Sequence, residues 1–532
     1  MSPWRRLLGT GTPALRRVSL EKAKAVDSKP RSTRLPQLGE KVTMAVVVTL
    51  LATLLIGGGA ELEVRGWLGL SALIGVSLLL FVRYLLDFRR QVLQSLVRTA
   101  TLAGFLLLAL AALRGFHVFV GLEHVAFLPL SFVSLVMVLV WGRSVAIECT
   151  AFAATLLGLY LFLHARAGGV EVEGLVIAVS GGLVGALTAD SVRRRSTLIR
   201  VGLVIGLAQM VVAGTFLLMR TGAPVETGDL LALMLLGLQG LVLGLLVSGL
   251  LPTIESVFSV TTDISLLELG NTHEQPLLRK LLLQAPGTFH HSYIVGLLSE
   301  AAAEAVGGNA LLARVGALYH DIGKLNKPGY FAENSPEARG RHRSLTPEMS
   351  LLIISAHTRD GVELGRYYGL PEAILDFMPE HHGTSLIEYF YIAAKKLRGE
   401  ENVSEESFRY PGPRPRRVET AIVMLADAAE AISRQMPDPS LARLEEMVHE
   451  VALKRLMDRQ FEECPITLSD LARIEAAFVR VLQAIYHQRP TYPKGGKPNP
   501  ADLSQPSEER RAVLEEEGRR AERKGAPVGS RS

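Results

Sequence analysis

The sequence predicts an all-α protein: a multi-span transmembrane helix bundle followed by an all-helical domain that gathers metal-binding side chains. Three observations predict it. Apolar runs of ~17–23 residues, long enough to cross a ~30 Å hydrocarbon core, recur before residue 252 and not after it. The following segment places apolar residues at helical steps of three and four, and strand-like alternation is rare. Within it stand His291, His320, Asp321, His357, His381, His382 and Asp427, imidazoles and carboxylates of the kind that bind iron, manganese or zinc.

The leader, residues 1–41, is polar and basic. Arg5, Arg6, Arg16, Arg17, Lys22, Lys24, Lys29, Arg31, Arg34 and Lys41 stand against only Glu21, Asp27 and Glu40. About 40 polar residues precede the first apolar run, so no cleavable signal peptide is predicted. The bundle, residues 42–251, reads as spans near 43–59, 67–86, 99–114, 123–141, 145–164, 171–190, 198–219 and 229–251, with the weakest separations around Arg114 to Val120 and at Gly142-Arg143. Alternate connections are rich in arginine: Arg83 to Arg98 contains Arg89-Arg90, and Asp190 to Arg200 contains Arg193-Arg194-Arg195. Those between, Ala60 to Gly66, Arg166 to Gly174 and Arg220 to Asp229, are short and mixed or acidic. Lys and Arg collect on the cytoplasmic side. Both termini are therefore expected there, which requires an even number of spans and favours eight over seven. Glycines in SGGLVGA (180–186) and LLGLQGLVLGLL let helices approach closely. Glu148, near the start of the fifth span, reads as an end-of-helix carboxylate reaching the headgroups.

Composition excludes several classes. The net charge of +5 is accounted for by the membrane flanks, and no basic stripe interleaved with aromatics follows the bundle, so a nucleic-acid polymer is not an expected partner. Cys149 and Cys464 lie in different regions, which fits a reducing cytosol and excludes a Cys-rich zinc module. The bundle lacks the paired buried charges and broken helices of a transporter.

A soluble domain is expected over residues 252–490, and a polar tail of disorder-prone composition, 491–532, follows with PKGGKPNP and EERRAVLEEEGRRAERK. In NALLARVGALYHDIGK, Leu311, Leu312, Val315, Leu318 and Ile322 fall at helical spacings, with Asn309 as N-cap. Ala313, Gly316 and Ala317 share the face of His320, so a second helix can come close enough to share a metal. His291 aligns with Val295, Leu298 and Ala302, an inward face, while His290 points ~100° away. Val423, Met424 and Ala431 form the corresponding face around Asp427. His290, His342, His449 and His487 are read as surface or capping residues.

Seven such ligands suffice for two metal ions sharing a bridging carboxylate, and a two-metal site suits phosphoester hydrolysis. The H…HD…D pattern resembles the HD superfamily of metal-dependent phosphohydrolases. The stretches LLPTIESVFSVTTDISLLEL (250–269), PLLRKLLLQAPGTFHHS (276–292), GALYHDIGKLNKPGYFAEN (316–334), ISAHTRDG (354–361), EHHGTSLIEYFY (380–391) and RYPGPRPR (409–416) resemble the seven-transmembrane-receptor HD hydrolases, specifically their cyclic-di-AMP phosphodiesterases. The six-span block ahead of them is similar to the family as well. The resemblance implies an all-helical HD domain with His291, His320, Asp321 and Asp427 on one metal, and Asp321 bridging to a second held by His357, His381 and His382. It implies iron or manganese as the two divalent ions and a cyclic dinucleotide opened to linear pApA at a bacterial cytoplasmic membrane, with the HD domain in the cytoplasm and the lipid bilayer around the bundle. A homodimer is compatible with it.

Asp321 and Lys324 are the expected catalytic pair. Lys324 stands one helical turn after His320, within reach of a nonbridging phosphate oxygen. Arg359 and Thr384, beside ligand motifs, are further candidates for substrate contact. Alternatives are a hydrolase of cyclic-di-GMP or a linear dinucleotide, and a receptor whose HD domain only binds nucleotide. Against the first, HHGTSLIEY (381–389) stands where many cyclic-di-GMP enzymes carry a GYP motif. Against the second, a binding-only domain has no need of seven metal ligands. One departure is clear: family members carry a large extracytoplasmic domain between the first two spans, where this chain has about seven residues, Ala60 to Gly66.

Overall fold

A computed structural model describes residues 38–487 except 94, 121–127, 165–171, 190–191, 221–223 and 438. The leader up to residue 37, the tail and most of the connections near 166–171 and 221–223 lie outside the described residues. Among the described residues every regular element is helical; the single β-bridge joins Leu386 to Arg409.

Eight apolar helices come first: α1 (Leu38–Gly57), α2 (Val64–Phe88), α3 (Leu96–Val120), α4 (Leu128–Trp141), α5 (Arg143–His164), α6 (Val172–Thr188), α7 (Arg195–Met219) and α8 (Thr227–Phe258). Six are long and apolar enough to cross a membrane, which makes this a multi-pass membrane protein. The other two, α4 and α6, are apolar but only 14 and 17 residues long. At 1.5 Å per residue they reach roughly 21 and 26 Å, short of a ~30 Å core. Each of the eight expected spans corresponds to one of these helices.

Several details differ from expectation. Helix α3 runs on through Arg114 to Val120 because the guanidinium donates to the carbonyls of Leu54 and Leu55 at the end of α1. Glu148 does not reach outward: its carboxylate is mostly buried and pairs with Arg89 at 3.8 Å. Helix α8 passes the expected boundary at 251 and continues through Pro252 to Phe258. The glycine expectation is met most clearly between α7 and α8. A methyl on Gly202 would lie 2.3 Å from the carbonyl oxygen of Gly240, and one on Gly240 2.3 Å from that of Gly202. Only hydrogen fits there, so the two backbones touch.

At the end of α8, Ser259 adopts a left-handed conformation (φ 51°) and turns the chain into α9 (Asp263–Leu269). Glu255 fastens this turn: its carboxylate accepts from the backbone N–H and hydroxyl of Thr262 and from the hydroxyl of Ser265. Arg195, at the start of α7, bonds Glu268 of α9 at 3.0 Å. Two apolar cores meet along α9, with Ile264 in the bundle's core and Leu266 in the next one.

The second core belongs to α10 (Pro276–Gln284), α11 (Pro286–Val306), α12 (Ala310–Tyr319), α13 (Ala338–Arg343), α14 (Pro347–Tyr367), the short α15 (Glu372–Leu375) and α16 (Phe377–Glu380), α17 (Glu388–Arg398), α18 (Val418–Ser433), α19 (Leu441–Met457) and α20 (Leu468–His487). Helices α11, α12 and α18 form its centre. Asn309 caps α12 as expected, accepting from the N–H of Leu312. Helix α12 ends at Tyr319, however, and a 3₁₀ turn over Ile322–Asn326 follows. Lys324 is therefore carried by that turn and not by a continuous α-helix.

Candidate metal centre

Five elements deliver the predicted residues to one place. His291 projects from α11, His320 and Asp321 from the junction between α12 and the 3₁₀ turn, His357 from α14, His381 and His382 from the end of α16, and Asp427 from α18. His291, His320, Asp321, His357 and His381 are at most 4% exposed. His382 and Asp427 keep about a sixth of their side chains accessible, so the cluster opens on their side.

Asp321 sits at the middle with its two oxygens divided. Oδ2 lies 3.2 Å from His320 Nε2 and 3.7 Å from His291 Nε2. Oδ1 lies 3.4 Å from His357 Nε2 and 3.8 Å from His381 Nε2. Asp427 joins the first group, 3.0 Å from His291 Nε2 and 4.0 Å from His320 Nε2, and also lies 3.7 Å from His382 Nδ1. Three overlapping trios of potential ligand atoms result, His291-His320-Asp427, His357-His381-His382 and, between them, His320-Asp321-His381, each close enough together to share one ion.

Local chemistry aims these atoms inward. The Nδ1–H groups of His320, His357 and His381 donate to the carbonyls of Ala317, Ile354 and Phe377, three or four residues back in the chain. Each leaves Nε2 facing the cluster. His291 Nε2, His320 Nε2 and both oxygens of Asp321 are buried without a well-formed hydrogen bond, their near neighbours being ion-pair contacts such as Lys324 with Asp321 Oδ2 and Asp427 with His291 Nε2. Polar atoms buried this deeply need good partners, and divalent cations would satisfy all four. The residues present therefore fit a divalent-metal centre.

Electrostatics favour the ligand forms of His357, His381, His382 and Asp321 and oppose that of His291. Burial holds His381 down to about 3, and holds His357 and His382 below their usual value, so these imidazoles stay neutral. Burial opposes ionisation of Asp321, but His320 and Lys324 outweigh it and keep the carboxyl well below the usual range. Burial likewise opposes protonation of His291. Asp427 and Glu430 override it and raise the ring to about 10, a proton that a cation would displace.

Lys324 does not extend freely into the site. Its ammonium bridges Asp321 at 2.6 Å and Glu333 at 2.8 Å. Arg359 is separated from His357 by two helical positions, about 200° around α14; it is 74% exposed and pairs with Asp360, away from the cluster. Thr384 is engaged elsewhere, its N–H donating to Gln460 Oε1 and its hydroxyl accepting from Gln460 Nε2. Among the described contacts, then, neither Arg359 nor Thr384 joins the cluster. His290 is exposed, His342 bonds the Tyr330 carbonyl, and His449 pairs with Glu475; none joins the cluster.

Three residues at the site escaped sequence reasoning. Glu430 bonds His291, Glu333 holds Lys324, and the ring of Tyr410 stacks on His382 with centroids 4.1 Å apart. Glu430 stands three residues after Asp427, on the same helical face, and that spacing was its one signal. Glu333 and Tyr410 lie in irregular segments without periodicity.

A multi-pass helical bundle joined to a helical module with an HD pair at its centre defines the class: a membrane protein carrying an HD domain. Residues 288–432 match the HD domain family, and residues 64–262 match the family described as 7TM receptor with intracellular HD hydrolase. Over these two regions the chain resembles that family of HD hydrolases. The second match covers α2 to α8, seven helices where a six-span block was expected, and leaves α1 outside it.

The chain is 42% identical over 329 residues to the cyclic-di-AMP phosphodiesterase PgpH of Bacillus subtilis (strain 168), covering 61% of this chain and 45% of that protein. It is 36% identical over 374 residues to the PgpH of Listeria monocytogenes serotype 1/2a (strain 10403S), covering 70% and 51%. It therefore spans about half the length of these relatives. The crystal structure of the L. monocytogenes PgpH HD domain in complex with cyclic-di-AMP is 43% identical, with 40% of this chain and 98% of that one covered and a TM-score of 0.39.

Proposed function

We propose that this chain is a membrane-anchored, dinuclear-metal phosphodiesterase that opens cyclic-di-AMP to linear pApA. The observation that carries the two-metal reading is the division of Asp321, whose two oxygens face two separate sets of imidazoles. His291, His320, Asp321 and Asp427 would hold one ion, and Asp321, His357, His381 and His382 the other. The substrate class is supported by the relatives, two of which are named cyclic-di-AMP phosphodiesterases. Imidazole and carboxylate donors suit iron or manganese.

Held by these residues, two divalent ions would supply Lewis-acid chemistry suited to phosphodiester hydrolysis, acidifying water and offsetting charge on the phosphoryl oxygens. The protein's own groups do the rest. Carbonyls of Ala317, Ile354 and Phe377 lock three imidazoles in the tautomer that presents Nε2. Lys324, kept protonated by Asp321 and Glu333, places a fixed positive charge beside the bridging carboxylate, where a nonbridging phosphate oxygen gains from it. The partly open side at His382 and Asp427 is where a dinucleotide approaches.

The arginine-rich connections of α2–α3 and α6–α7 support a cytoplasmic HD domain at a bacterial inner membrane. The test is turnover of a panel of cyclic and linear dinucleotides by the purified full-length protein loaded with manganese or iron. Cyclic-di-AMP is expected to be opened fastest, giving pApA. Faster opening of cyclic-di-GMP, or no turnover of any member, would overturn the reading.

A further inference from the structure

Four of the five histidines at the centre have unremarkable partners, and one does not. His320, His357 and His381 each lean Nδ1 on a backbone carbonyl of their own segment. His382 lies flat against the ring of Tyr410 and turns Nδ1 toward Asp427. His291 alone is backed by a carboxylate: its Nδ1 lies 2.5 Å from Glu430 Oε2, and that side chain is 95% buried.

Helix geometry explains how one element supplies both ends of this contact. Asp427 and Glu430 are three residues apart on α18 and therefore project from the same face. Asp427 meets Nε2 of His291 at 3.0 Å while Glu430 meets Nδ1. The imidazole is clasped between two carboxylates of one helix. A neutral carbonyl fixes a ring's orientation. A buried carboxylate does that and also makes the opposite nitrogen a stronger donor, because the Nδ1–H it accepts is polarised by full negative charge.

The two halves of the centre are consequently unequal. The half containing His291 has Asp427 and a share of Asp321, with Glu430 behind it. The half containing His357, His381 and His382 has three imidazoles and its share of Asp321, with Asp427 no nearer than 3.7 Å from His382 and, among the described residues, no carboxylate behind any of its rings in the way Glu430 stands behind His291.

We infer that Glu430 is a positioning residue that makes the His291 half the tighter metal subsite, so that the two ions load in order. The inference rests on the two-metal reading above. Glu430 touches neither substrate nor ion in it; it acts through His291. The order has a consequence for function. When divalent metal is scarce, the His291 half fills and the other half stays empty, so the second ion sets the fraction of competent protein.

The test is a titration of metal-free full-length protein with Mn²⁺, followed by calorimetry and by the electron paramagnetic resonance of free Mn²⁺. Wild type is expected to bind two ions with distinct affinities. Glu430→Gln, which keeps the shape and removes the charge, should weaken the first by about 10- to 100-fold and leave the second unchanged. Two backgrounds assign the ions. In His357→Ala one ion remains, and adding Glu430→Gln should weaken it as much as in wild type. In Asp427→Ala the remaining ion should be indifferent to Glu430→Gln. Thermal unfolding of the metal-free variants shows whether they fold, and Glu430→Asp, which keeps the charge but is too short to reach the ring, serves if Glu430→Gln does not.

The outcomes separate cleanly. If wild type binds fewer than two ions, the two-metal reading itself fails. If wild type binds two and Glu430→Gln changes neither affinity, or weakens the ion that survives in Asp427→Ala, the role of Glu430 is refuted while the two-metal reading stands.

Discussion

Gly323, two residues after Asp321, is a position where a single methyl should disturb the centre without touching a ligand side chain. A β-carbon built there lies 1.9 Å from the carbonyl oxygen of His357 and 2.6 Å from the backbone N of Gly361, where ordinary contact begins at 3.4 Å. Both obstacles are backbone of α14, so neither can rotate away. Restoring contact requires α14 to move about 1.5 Å relative to the HD turn, and about 1 Å of misplacement costs on the order of a hundredfold in rate. Because His357 rides on α14, the displacement pulls one set of imidazoles from Asp321. Gly323→Ala should therefore lower kcat for cyclic-di-AMP by about a hundredfold or more and reduce bound manganese from two ions toward one. Gly340→Ala, whose added carbon meets nothing within 4 Å, is the control and should keep full activity. Circular dichroism separates lost geometry from lost fold. A folded Gly323→Ala protein with wild-type kcat would refute the claim that this backbone contact sets the metal spacing.

Other predictions can be checked alongside. His291→Ala should abolish hydrolysis and lower metal content, while His290→Ala, on the exposed side of the same helix, should retain most activity; equal losses would mean that the wrong histidine of the pair has been assigned. The pH dependence of the metal-free protein follows from Glu333. Burial raises its carboxyl, but Lys324 overrides this and leaves it below 4.5. A depressed folded value stabilises above 4.5 and is lost as pH falls through the folded value. The melting temperature should therefore drop on acidification below about pH 4.5, and Glu333→Gln should flatten that drop and lower stability at pH 7. Reporter fusions at Gly66 should signal outside, and those at Arg90 and Arg195 inside; an outside signal at Arg195 would overturn the topology.

Much of the centre was legible because helical periodicity carries side-chain direction. His291 among Val295, Leu298 and Ala302 had to face inward, and so it does. Small residues beside His320 announced a close neighbour, and Phe377 packs against Gly316 where a methyl would lie 2.5 Å from its ring. What stayed hidden was chemistry between segments remote in sequence. Glu430 and His291 are 139 residues apart, and nothing local in either helix says that they touch. Glu333 and Tyr410 sit on irregular backbone, where periodicity says nothing about direction. Lys324 was expected on a helix because the apolar spacing runs on to Ile322. The chain leaves the α-helix at Tyr319 instead, whose hydroxyl donates to the Leu269 carbonyl at the end of α9. Arg359 and Thr384 were nominated by proximity in sequence to His357 and His382, and proximity along a helix or turn does not mean a shared face. In the bundle, apolar length located all eight helices, but their ends were set by polar contacts such as Arg114 with the end of α1.

The most direct test of the account is a titration of metal-free full-length protein with Mn²⁺ while the opening of cyclic-di-AMP is followed. If Asp321 bridges two ions that act together, activity should stay near background through the first equivalent and rise to its plateau across the second. Full activity at one equivalent, with no further gain from more metal, would contradict it.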